Sequence, residues 1–153
     1  MKSIIKINEH LTYIESVVSE HQVKNPSVSS NSVGWQIDHS LKVFNNIINY
    51  LKTAPTDKAS KISISGRLFL GINYIPRGKG KAPKLVLPNN DITTETLQSQ
   101  LGEAKENLQS ISSLDPQATF KHSYFGVLDL KQSIRFVEVH TNHHIKIIKD
   151  ILK

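Results

Sequence analysis

The sequence predicts an all-α protein, a four-helix bundle with one long crossover between its second and third helices. Three observations lead there. Four stretches of about 20 residues place apolar residues at three- and four-residue spacing, the mark of a helix with one buried face. Each stretch is bounded by capping or helix-breaking residues. Between the second and third lies IPRGKGKAPKLVLPNN, which has no periodicity at all. At 153 residues the chain is expected to form one domain, 1–153, large enough to bury a continuous core.

The first helix is expected from Ile4 to Lys24, with Ile4, Ile7, Leu11, Ile14 and Val17/Val18 along one face and Pro26 after its end. Asn31 or Ser32 caps the second, which runs to Lys52 with Ile37, Leu41, Phe44, Ile48 and Leu51 inward. From Lys58 to Tyr74 the pattern permits a short helix around Arg67 to Ile72, and ISISG equally permits a strand. The crossover that follows holds Arg77, Lys79, Lys81 and Lys84; connections of this length in compact domains tend to serve function. Thr93 or Thr94 caps the third helix, which extends to Ser112 on a stripe of Leu97, Leu101, Ala104, Leu108 and Ile111 and stops at Asp115-Pro116. ATFKHSYFGVL then makes a tight aromatic connection, with Phe125 expected to plug the end of the bundle and Gly126 to permit a backbone turn. Asp129, with Gln132 three residues on, forms a capping box for a fourth helix reaching Leu152.

Composition narrows the function classes. With no cysteine, disulfides and thiolate metal sites are excluded, so any metal must be held by His, Asp, Glu, carbonyls or water. Glu9, His10, Glu15 and Glu20 interrupt the apolar run that a signal peptide needs, and no stretch has the roughly 18 apolar residues of a membrane span. A soluble, cytoplasmic protein with no membrane association is expected. Lys and Arg number 19 against 13 Asp and Glu, a net charge of +6 that suits a polyanion. Nucleic acid is the less favoured partner, because no aromatic residue is interleaved among the crossover's charges and no nucleic-acid motif accompanies them.

The fourth helix carries the chemistry. In VHTNHHI, His140 and His144 stand four residues apart, hence on one face, and that face is shared with Leu130, Ile134, Val137, Ile147/Ile148 and Ile151. Two inward imidazoles can meet one cation. They can equally be core residues hydrogen-bonded to carbonyls, since burying an unpartnered imidazole costs about 1–3 kcal/mol. A third candidate ligand is His39, in GWQIDH one turn after Trp35 on the second helix. If the second and fourth helices face each other, His39, His140 and His144 form a three-histidine set with an open coordination position. Neutral imidazoles favour zinc or nickel as the divalent ion.

SVGWQIDHSLKVFNNI, IPRGKGKAPK and HSYFGVLDLKQSIRFVEVHTNHHIKIIKDI together resemble the DinB-like superfamily of metal-dependent bundle proteins, in particular its uncharacterised bacterial branch, over nearly the whole chain. The resemblance implies a metal triad that maps onto His39, His140 and His144. It also implies a homodimer as a common state, and relatives that include thiol-dependent transferases, maleylpyruvate-type isomerases and hydrolase-like proteins. A metal-dependent transferase or hydrolase acting on a small molecule, with a thiol cosubstrate in some cases, is the expectation.

His143, Tyr124, Arg77 and Lys79 are the candidate substrate contacts, and His122 belongs to the same aromatic turn as Tyr124. His143 lies about 60° round the helix from His140. Asp38 and Glu138 point about 100° and 160° away from the neighbouring ligands, as solvent-facing or hydrogen-bonding groups. The competing reading is a non-enzymatic bundle that binds an anionic ligand or partner through residues 76–84.

Overall fold

The computed structural model describes residues 2–57, 59–78, 82–88 and 91–153. Four long helices, α1 (Lys2–Val17), α2 (Val33–Leu51), α4 (Thr94–Ser110) and α5 (Leu130–Ile151), form the bundle, with a short α3 (Ile64–Ile72) in the connection after α2. Both α1 and α2 pack against both α4 and α5, so the core is a closed ring of four helices. The apolar stripes meet in its centre, where Ile7, Ile14, Ile37, Ile48, Leu97, Ala104 and Ile148 are fully buried. No described helix is long and apolar enough to cross a membrane.

Sequence chemistry explains the helix starts. Ser32 accepts from the Trp35 N–H at α2, Thr93 forms a capping box with Thr96 at α4, and Asp129 forms one with Gln132 at α5. The first helix ends earlier than Lys24: it passes at Val17 into a single 3-10 turn, Val18–Glu20. The cause is a backbone clasp to α2, in which His21 and Val23 carbonyls accept from Gly34 and Val33 N–H at 2.8 and 3.0 Å. A Cβ on Gly34 would lie 2.8 Å from the His21 carbonyl oxygen, so glycine is what lets the two segments close.

Both readings of ISISG occur, one after the other. Lys61–Ile62 is a strand, β1, and Ser63 then caps α3 by accepting the Gly66 N–H at 3.0 Å. The aromatic connection before α5 is a hairpin of β2 (Thr119–His122) and β3 (Gly126–Asp129), and β1 pairs antiparallel with β3 to give a sheet of order β1-β3-β2. This small sheet closes one end of the bundle. Phe125 is buried there against Phe69 and Phe136, the expected plug.

Candidate metal centre

Helices α2 and α5 are packed neighbours, and their contact brings the three predicted histidines together. One ligand nitrogen from each of His39, His140 and His144 lies within 4.8 Å of the others. Ring centroids are 5.2 Å apart for His39 and His140, 4.8 Å for His39 and His144, and 4.6 Å for His140 and His144. An ion with bonds of about 2.1 Å sets tetrahedral ligand nitrogens roughly 3.4 Å apart, so a modest contraction of the rings suits the set to a metal.

Two of the three rings are aimed by acceptors. His39 Nδ1–H donates to the Val86 carbonyl at 2.8 Å, and His144 Nδ1–H donates to Gln36 Oε1 at 2.7 Å. The Gln36 amide is itself oriented, its Nε2 donating to Ser29 Oγ at 3.3 Å. Each of those imidazoles therefore keeps its lone pair on Nε2. His140 differs: its Nδ1 is buried with no hydrogen-bond partner among the described residues. Trp35 stacks on His39 with centroids 5.1 Å apart and planes 22° off parallel, fixing the ring from the other side.

Electrostatics keeps the donor set neutral. Burial is the largest effect on all three and lowers their pKa values, well below the usual imidazole range for His140 and His144. Each of those two is lowered further by the charge the other histidines would carry. For His39 the Val86 carbonyl and Asp38 partly offset the burial. Neutral imidazoles are the form that donates to a metal.

Described residues of the crossover reach the two helices that carry this centre. His143 hydrogen-bonds the Ile75 backbone, Arg77 pairs with Asp150 on α5 at 2.7 Å, Val86 receives His39, and Lys42 reaches the Leu87 carbonyl at 3.4 Å. His143 is pushed down to about 4, by burial first and then by Arg77, and stands edge-on to His144 at 5.0 Å. Among the other candidates, Tyr124 is exposed in the β2–β3 turn, 6.1 Å from the His122 ring. His122 stands beyond Phe136 from the triad, the Phe136 ring being 4.5 Å from it and 5.5 Å from His140. Lys79 and Lys81 lie outside the described residues. Asp38 and Glu138 are buried hydrogen-bonding groups and not solvent-facing ones: Asp38 holds Lys42 and Gln100, and Glu138 holds Arg135. The sequence reading missed Gln36 and the Val86 carbonyl.

The sequence profile of the DinB superfamily matches residues 10–148. The chain belongs to the DinB superfamily. No curated protein and no solved structure matches it. The match spans α2 through most of α5, so every histidine of this DinB bundle's cluster falls within it.

Proposed function

We propose that His39, His140 and His144 hold a divalent cation, zinc or nickel, and that this DinB protein catalyses a metal-dependent transfer or hydrolysis on a small molecule. One observation carries the reading. Three neutral imidazoles from α2 and α5 converge, two of them with Nδ1 already committed to an acceptor and Nε2 left free. Such an ion would supply Lewis acidity, polarising a substrate oxygen or lowering the pKa of a bound water or thiol. The chain's own residues do the rest. Val86 and Gln36 fix the ligand tautomers, and Trp35 and Phe136 wall the centre with aromatic surface.

Metal analysis of protein purified without a polyhistidine tag or nickel column tests the site. A ratio near one metal per chain is expected, and His39→Ala, His140→Ala or His144→Ala should each abolish thermal stabilisation by added zinc or nickel. Less than about a tenth of a metal per chain, with no stabilisation on adding either ion, sinks it. Binding of an anion through residues 76–84 is the weaker reading, since Arg77 is already tied to Asp150. It gains only if an anion stabilises the protein without metal and Lys79→Ala with Lys81→Ala removes that effect.

A further inference from the structure

Two surface properties coincide on one segment. Residues 58–90 contain seven Lys and Arg and no Asp or Glu, and without them the chain's 19 basic residues fall to 12 against 13 acids. The whole positive excess therefore resides there. Of the ten large hydrophobic side chains exposed among the described residues, six belong to the same segment: Ile64, Leu68, Ile72, Tyr74, Leu85 and Leu87.

Helix α3 shows how this arises. Its inner side is anchored, with Leu70 buried, Gly66 against Ile62 and Phe125, and the Leu70 carbonyl accepting from Arg135 of α5. Its outer side repeats Ile64, Leu68 and Ile72 at four-residue spacing, 89%, 55% and 57% exposed. A helix apolar on both sides is ordinarily buried on both. Arg67 flanks the outer stripe, and beyond Asn73 the chain follows α5 to Arg77 before crossing to α2, with Lys84 and the 74% exposed Leu85 at the far end. Asp150 offsets Arg77, while Arg67 and Lys84 have no acidic neighbour within this segment.

We propose that the outer side of α3, with the described residues 74–78 and 82–88, forms a docking surface for a lipid bilayer bearing anionic headgroups, with Ile64, Leu68 and Ile72 entering the boundary between headgroups and acyl chains. Charge decides among occupants. A second copy placed face to face would set Arg67 and Lys84 of this basic segment against like charge, and a nucleic acid offers nothing to an aliphatic stripe. An anionic bilayer satisfies both properties together, through attraction to the basic residues and burial of the projecting side chains. The proposal does not depend on the metal centre.

Cosedimentation of the full chain with vesicles is the test. At about 0.1 M salt, vesicles of phosphatidylcholine with one-third phosphatidylglycerol should retain at least about tenfold more protein than phosphatidylcholine alone, and about 0.5 M salt should release it. Combining Ile64→Glu with Leu68→Glu should lower the partition coefficient at least about tenfold. Both positions are exposed, so the circular-dichroism melt should not move, and Ile5→Glu on α1 serves as the control for an exposed apolar residue elsewhere. The proposal is overturned by retention of the double variant at the native level, or by no retention on anionic vesicles. It is also overturned if the native chain sediments as a dimer that the double variant makes monomeric, because the face then belongs to a second copy.

Discussion

With its amide nitrogen on Ser29 Oγ, Gln36 turns its oxygen toward His144 and so determines which imidazole nitrogen carries the proton. Gln36→Met keeps the length and loses the acceptor, so His144 should populate both tautomers. Imidazole ¹⁵N spectra of the apo protein should show wild-type His144 protonated at Nδ1 and the variant mixed, and chelator competition should show zinc affinity lower by about 10–100-fold. An unchanged tautomer together with unchanged affinity would remove Gln36 from the centre. His140 and His144 were legible because one residue type, a four-residue spacing and one apolar face all agreed, and His39, on another helix, joined them as a candidate that the family resemblance mapped onto the same triad. Gln36 left a fainter signal, a polar residue one turn before His39 on the buried side of α2. The Val86 carbonyl left none, since a backbone acceptor 47 residues from its donor has no side-chain signature.

Among the elements, the long helices could be read because each repeats its pattern over several turns and carries its own cap. The sheet could not. Strand β1 has two residues, too few to show alternation, and its partner Val127 lies far along the chain from Lys61. Gly126 holds the two together: its φ is +82°, and an added Cβ would stand 2.3 Å from the Lys61 carbonyl oxygen. Two bonds beside it tie α3 to the hairpin, Ser63 N–H to the Phe125 carbonyl at 2.8 Å and Ser63 Oγ to the Tyr124 carbonyl at 3.1 Å. Gly126→Ala should therefore cost about 2–4 kcal/mol in urea unfolding, from backbone strain and the lost close approach. Hydrogen exchange should show α3 losing protection before α5 does. A cost below about 0.5 kcal/mol would mean that β1 is dispensable to the bundle.

For the whole molecule, the histidines make stability of the metal-free protein depend on pH in one direction. His122 illustrates the sign. Its Nδ1 accepts both the Tyr124 and Phe125 N–H groups at 3.1 Å, its ring lies against Phe125 and Phe136, and burial pushes its pKa from 6.5 down to about 4. Between those values the unfolded chain takes up a proton that the folded chain refuses, so the stability contribution is complete above pH 6.5 and is lost as pH falls through about 4. His10, His39, His140, His143 and His144 are lowered as well and act in the same sense. Urea midpoints of the apo protein should accordingly fall steadily from pH 7 to pH 4.5 or so. His122→Asn isolates one share of that fall, because an Asn Oδ1 can receive the same two backbone N–H groups and does not titrate. Its midpoint should decline less steeply than wild type below pH 6.5 and run parallel above it. Parallel curves throughout would show that His122 is as readily protonated in the fold as in the unfolded chain, and that the hairpin tolerates loss of its two turn hydrogen bonds.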